Sequence, residues 1–224
     1  MIQKLFRFFY IKSTKLSLIL DSPYLFSKLI IYSSKKMDNN NDLKADLRVF
    51  MVLSKTAGDD DIKSTFEKIN SGFKVFFVKR EAFKQAFRHF TREKLIDDYD
   101  YERIQKFNQT ALKKYKSFLK KVFINLKKMI SLDIIISYNF FYYAERDMPV
   151  IARKQDIVFL TLYKECLKPR GTIDYFVSFL SRDIKEYKGD YIIVYNEIVR
   201  DAIIRSKIVA AYRIINVGMP RLDY

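Results

Sequence analysis

The chain has 224 residues, 49% of them hydrophobic and 30% charged, with one cysteine, one histidine, no tryptophan and a formal net charge of +16. That length and apolar fraction suit one domain with a real core and exclude wholesale disorder. One cysteine excludes a disulfide framework and fits a reducing cytosol, and one cysteine with one histidine cannot furnish the usual ligands of a structural zinc; no cofactor is implied.

The charge is unevenly spread. Residues 1–36 hold seven Lys/Arg against one acid, and residues 79–128 fifteen against six, while the rest of the chain is nearly neutral. Two positive segments beside a neutral remainder suit an anionic membrane surface or an anionic glycan carrier; they also suit nucleic acid, or a merely solvated lysine face.

Residues 1–36 contain no uninterrupted apolar run, because Lys4, Arg7, Lys12, Lys15 and Lys28 break it. This argues against a membrane-spanning helix and a secretory signal. Phe6, Phe8, Phe9, Leu16, Leu18 and Ile19 among lysines suit a membrane interface. They equally suit an upstream extension without a fold, with Met37 as an alternative start ahead of the polar leader Asp38–Asp42. Pro23 splits the segment and its apolar residues show no stable period, so it is expected to pack poorly. Residues 1–45 therefore read as a basic aromatic extension and leader, and 46–224 as the folded domain.

Leu47–Leu53 is the first strand, apolar throughout as in a parallel sheet buried on both faces. Ser54–Gly58 reads as a loop, Asp59–Asp61 as the acidic start of a helix over Ile62–Asn70, and Phe73–Val78 as the second strand. Three consecutive aspartates invite a metal, but their spacing is not that of a calcium loop, which favours capping. No Gly-x-Gly-x-x-Gly occurs. Residues 80–130 predict a long amphipathic helical segment with Tyr101, Ile104, Asn108, Ala111, Tyr115, Phe118, Val122, Leu126 and Met129 on one stripe and lysines on the rest. His89, flanked by basic residues, suits a surface or packing role.

Asp133–Ser137 is the third strand. Asn139 is placed to cap a helix running through Glu145 and Arg146, and Pro149 requires a kink or restart near Asp147. Ile157–Tyr163 is the fourth strand and Lys164–Gly171 a loop, with Thr172 a candidate cap for the next helix. Gly189-Asp190 leads into Tyr191–Tyr195. A helix capped by Asn196, with Glu197 at its positive end, then precedes the strand Arg213–Val217. The sum is an α/β, Rossmann-like three-layer domain of about six mostly parallel strands with a helical insertion at 80–130.

Open α/β sheets bind ligands at the C-terminal ends of their strands. Ser54–Gly58, Ser137–Asn139, Lys164–Lys168, Asn196–Glu197 and Gly218–Arg221 project there. Asn139, Lys164, Glu165 and Arg221 are the candidate binding residues: Lys164 or Arg221 for a phosphate, Glu165 for a sugar hydroxyl. On the plainer reading Lys164–Glu165 is a surface ion pair and Arg221 a linker residue. No general base is assignable.

Gly218-Met-Pro220-Arg221-Leu-Asp223 resembles the Gly-x-Pro-Arg-x-Asp turn that closes the N-terminal domain of some two-domain (GT-B) surface-carbohydrate transferases, including relatives of the CDP-glycerol glycerophosphotransferases. Asp133-Ile-Ile-Ile-Ser-Tyr-Asn139-Phe-Phe-Tyr-Tyr143-Ala-Glu145-Arg146 and Tyr163-Lys164-Glu165-Cys166-Leu-Lys168 look like the same group. The resemblance spans residues 133–224, with 46–132 alike only in pattern. It implies a cytoplasmic domain, peripheral on the inner face of the membrane, that receives the acceptor. The nucleotide-activated donor would be held by a second Rossmann-like domain that this sequence does not contain, so the chain is expected to be inactive alone. A basic non-catalytic module binding nucleic acid or an anionic polymer, and a truncated gene product, are the alternatives.

Overall fold

The structure, a computed structural model, describes residues 2–39, 47–54, 56–69, 72–93, 101–163 and 170–218, with backbone only at 2–9, 39, 56–57 and 170. Among the described residues, seven strands form one sheet. β1 (Lys35–Asn39) is antiparallel to β3 (Phe73–Lys79). β2 (Arg48–Ser54), β4 (Ile134–Ser137), β5 (Val158–Leu162), β6 (Tyr191–Val194) and β7 (Ile214–Asn216) complete it, and all neighbours other than β1–β3 are parallel. The order is β1-β3-β2-β4-β5-β6-β7. The chain winds outward from β2 to β3, then returns to the other side of β2 and proceeds through β4 to β7. The winding reverses between β2 and β4, the place where a doubly wound sheet opens a crevice.

Strand alternation divides the core. Register aligns Met51, Ile135 and Phe159 on one face, and the same face continues through Thr161, Ile192 and Ile214. Helices α2 (Pro23–Tyr32), α4 (Arg80–Thr91), α5 (Tyr101–Phe107), α6 (Gln109–Ile130) and α7 (Met148–Arg153) bury their apolar stripes in one cluster with Met51, Ile135 and Phe159. Further along the same face, α8 (Ile173–Phe179) and α9 (Glu197–Ser206) share a cluster with Ile192, Val194 and Ile214. The opposite face carries Phe50, Val52 and Ile136, and α3 (Thr56–Glu67) covers it through Phe66, whose ring meets Phe50 and Phe73 edge-on at 4.7 Å each. Past β4 that face is only half covered. Val158, Tyr191 and Ile215 are 39%, 41% and 42% exposed, while their strand neighbours Phe159, Ile192 and Ile214 are buried.

Local chemistry sets the helix ends. Ser22 accepts a hydrogen bond from the Leu25 amide (3.3 Å) just ahead of Pro23 in the first turn of α2. Asn108 accepts from Ala111 (3.3 Å) and Asn196 from Val199 (2.9 Å), the latter as its sequence position predicts. Asn108 therefore divides the periodic segment: Tyr101 and Ile104 belong to α5, and Ala111 onward to α6. Pro149 sits in the first turn of α7, so the helix restarts at Met148 as its ring requires. Thr172 precedes α8 but makes no capping bond, and α8 runs on into a π-turn over Leu180–Ile184.

Three expectations are corrected. Residues 1–36 do not pack loosely. α1 (Ile2–Ile19) lies against α2, and Leu18, Phe26, Ile30 and Ile31 are buried in the main core. Phe26 is fully enclosed, meeting Phe83 edge-on at 5.8 Å and Phe118 at 5.2 Å. Met37 lies inside β1, which adds a seventh strand by pairing Lys35–Asn39 with Phe73–Phe77. Ser54–Gly58 is not all loop, because α3 already begins at Thr56.

Phe26→Ala should lower the free energy of unfolding by about 3–5 kcal/mol, since it removes an enclosed ring from between two others. Urea denaturation measures it. A midpoint unchanged by this substitution, or by deletion of residues 1–34, would place the N-terminal helices outside the cooperative core.

Candidate functional site

Ser54, Ser137, Tyr138, Asn139 and Asn196 end up on one rim because parallel strands all finish at the same edge. Helix α3 starts two residues past Ser54, and its aspartates diverge. Asp59 accepts the Ser54 hydroxyl at 2.5 Å and the Tyr138 hydroxyl at 2.9 Å. Asp60 pairs with Lys63 at the surface (2.9 Å). Asp61, 1% exposed, accepts the Tyr195 hydroxyl at 2.5 Å and so fixes α3 to the end of β6. Only Asp59 stands in the first turn of α3, and its carboxylate accepts from side-chain hydroxyls. Burial raises the Tyr138 hydroxyl far above its ordinary pKa, and the Asp59 charge adds to the effect, so it stays a donor.

Tyr138 fills the crevice at the reversal point. Its ring lies over Gly58, where an added Cβ would stand 2.7 Å from both Cδ1 and Cζ. Glycine is required here for close approach, not for an unusual backbone angle. The first turn of α3 thus presents Asp59 under an aromatic lid. That is the reverse of a glycine-rich phosphate cradle, which offers bare amides and positive charge.

The segment 138–147 that follows β4 is held from all sides. Arg80, the first residue of α4, donates its Nε to Glu145, whose other oxygen accepts the Ser137 hydroxyl. Arg80 is 8% exposed and Glu145 1%. The Arg80 guanidinium also lies 4.0 Å from the Tyr142 ring centroid. From α5, the Tyr101 hydroxyl donates to Asp147 (2.7 Å), and from α6 the Lys116 ammonium pairs with the other Asp147 oxygen (2.9 Å). Tyr115 donates to the Ala144 carbonyl (2.7 Å). Arg146 reaches Glu102 (2.8 Å) and the Asp183 carbonyl (3.0 Å). Removing one partner of a buried pair costs more than the pair itself contributes, because the other charge is left without compensation.

Asn139 sits inside this frame, 2% exposed. It does not cap a helix, since residues 140–147 form turns. Its Oδ1 accepts the Phe141 amide at 2.8 Å, the short-range bond of an Asx turn. That bond fixes the orientation of the amide and leaves Nδ2 buried with no acceptor among the described residues. A buried donor without a partner costs roughly 1–3 kcal/mol and is uncommon in a folded chain. Nearby, the ammonium of Lys84 lies 5.4 Å from the Tyr143 ring centroid and 5.9 Å from that of Tyr142.

Of the four residues expected to bind ligand, the structure places Asn139 on the rim, while Lys164, Glu165 and Arg221 lie outside the described residues. Asn196 is on the rim but committed to capping α9, whose Glu197 is tied in turn to Asn216 (2.7 Å). Asp59, Arg80, Tyr138 and Glu145 were not singled out as site residues. The available signal was positional: a polar residue directly after a parallel strand, as at Arg80 and Tyr138, in the loop after one, as at Glu145, or in the first turn of the helix after one, as at Asp59. Among the described residues, no helix is long and apolar enough to cross a membrane.

No protein-family description, no curated protein and no solved structure matches the chain.

Three substitutions check this geometry. Gly58→Ala should destabilise by about 1–3 kcal/mol, because the overpacking at Tyr138 outweighs the gain of roughly 1 kcal/mol in helix propensity. Glu145→Gln should cost about 3–5 kcal/mol, with much of that recovered when Arg80→Met is added. Chemical denaturation of the single and double variants decides it; additive losses would show that the two side chains do not act as a pair.

Proposed function

We propose that this chain is the acceptor-side domain of a glycosyl- or glycerophosphotransferase that builds a surface polysaccharide. On this reading it is a Rossmann-like domain with residues 80–130 as a helical insertion, working at the cytoplasmic face of the membrane. The observation that carries the proposal is the Asn139 amide, buried at the rim beside the reversal point with a donor to spare. An acceptor hydroxyl or ring oxygen is the natural complement to such a donor. The resemblance of residues 133–146 and 163–168 to surface-carbohydrate transferases points the same way.

The division of labour follows from charge. Asp59 in the first turn of α3 repels a diphosphate from the site where a nucleotide would otherwise sit. The donor's phosphates therefore fall to a second domain, and this chain alone does not turn over nucleotide-sugars or CDP-glycerol. Lys164, Glu165 and Arg221 are proposed as further acceptor-binding residues. A second reading, a non-catalytic module for an anionic polymer, is favoured by the lysines on α6.

Ligand-detected NMR on the purified chain tests the proposal. Saturable binding of short polyol-phosphate or oligosaccharide acceptors is expected, weakened at least about tenfold by Asn139→Ala, with no binding of CDP or UDP. Circular dichroism controls for folding, and Glu165→Gln, an isosteric change, gives an independent check of acceptor binding. Tight nucleotide binding, turnover by the chain alone, or indifference to every acceptor would overturn it.

A further inference from the structure

Helix α6 carries seven lysines and no acidic residue in 22 positions. At 100° per residue, Lys113, Lys114, Lys120, Lys121 and Lys128 fall within an arc of about 120°, opposite the buried stripe of Tyr115, Phe118, Val122 and Leu126. The track is about 22 Å long at 1.5 Å per residue. All five lysines are exposed, and none has an ion-pair partner among the described residues. The lysines on the flanks differ: Lys116 pairs with Asp147 at 2.9 Å and Lys127 approaches Asp133 at 3.6 Å. An exposed helix face that only needed solubility would gain by interspersing acids at i+4, and this one forgoes that at every position.

Exposed apolar side chains accompany the lysines on the same side of the sheet. Phe107, at the α5–α6 junction ahead of Lys113, is 75% exposed. On α1 and the turn into α2, Leu16, Ile19 and Leu20 are exposed beside Lys12 and Lys15, with Ile19 at 71%. Helices α1 and α2 pack on each other and α2 packs on α6, so all belong to one helical layer.

We propose that this layer is a docking surface for an anionic phospholipid bilayer, with the α6 lysines on the headgroup phosphates and Ile19, Leu20 and Phe107 in the interface. Charge complementarity commits the occupant. Nucleic-acid phosphates would meet the same charge, but base readout and stacking draw on arginine forks and aromatic rings, which the α6 track does not offer. Exposed aliphatic residues beside lysines serve a bilayer and add nothing to a duplex. The proposal does not depend on the acceptor reading: a chain that binds vesicles without binding acceptor, or the reverse, leaves the other proposal intact.

Because the chain has no tryptophan, single replacements report on their own surroundings. The protein should co-sediment with vesicles of phosphatidylglycerol and phosphatidylcholine in equal parts, and not with phosphatidylcholine alone. Each lysine near the surface contributes roughly fivefold, so neutralising two with Lys120→Gln and Lys121→Gln should lower partitioning about 25-fold while leaving the circular dichroism unchanged. Fluorescence of Ile19→Trp and Phe107→Trp should shift to the blue on the anionic vesicles. Tyr212→Trp, 81% exposed by β7, should not shift. Equal binding to neutral vesicles, partitioning insensitive to the double substitution, or tighter binding to an oligonucleotide than to the anionic vesicles would overturn the proposal.

Discussion

The buried contact between Arg80 and Glu145 governs the geometry of the rim. Arg80 leaves β3 at the head of α4, Glu145 lies in the loop after β4, and β2 runs between those two strands. Two enclosed charges must be held in good geometry with their remaining bonding capacity met, or the desolvation cost dominates. The Ser137 hydroxyl accounts for the second carboxylate oxygen and the Tyr142 ring for one face of the guanidinium. The constraint thus spreads: Ser137 sets the exit of β4, the exit of β4 sets Tyr138 and Asn139, and Tyr138 sets the approach of α3 through Gly58 and Asp59. A ligand site built on such a loop needs little ordering on binding, because its conformation is already over-determined.

The same frame explains why the long helical segment between β3 and β4 does more than cover the sheet. Tyr101, Tyr115 and Lys116 all point their polar ends at residues 144–147. Burial pushes the Tyr101 and Tyr115 hydroxyls well above their ordinary pKa, with the neighbouring Asp147 charge adding to it, so both act as fixed donors through the accessible pH range. The inner side of the layer serves the rim. Its outer side carries the positive charge that a nearly neutral sheet region does not share, and that separation lets one element contribute structure and surface independently.

How much of this was legible in the sequence depends on how local the determinant is. The central strands are continuous apolar runs because both of their faces are buried, so Leu47–Leu53 and Phe73–Val78 announced themselves to within a residue or two. Asn196 was readable as a cap because its bond reaches only three residues. Asn139 looked the same, yet it bonds two residues on and forms a turn, since Pro149 delays the helix to Met148. Residues 1–36 misled because exposed Leu16, Ile19 and Leu20 blur the helical period that Leu18, Phe26, Ile30 and Ile31 define. β1 gave no signal at all: Lys-Lys-Met-Asp-Asn pairs through its backbone at the end of the sheet, and Met37 packs against the core. The Arg80–Glu145 contact spans 65 residues, and no short-range pattern encodes it.

The reversal point gives the rim its character. In a doubly wound sheet the crevice there is empty by topology, and what fills it is decided by side chains. Here an enclosed tyrosine fills it, held between a helical glycine and a carboxylate that itself binds two hydroxyls. An anion brought to the first turn of α3 would face that carboxylate. Helix α4 supplies cations to the segment 138–147: the Arg80 guanidinium lies 4.0 Å and the Lys84 ammonium 5.9 Å from the Tyr142 ring centroid. Among the described residues, the surroundings of 138–147 are therefore polarised, with the Asp59 carboxylate on the α3 side and Arg80 and Lys84 on the α4 side. The Asn139 amide stands between the two.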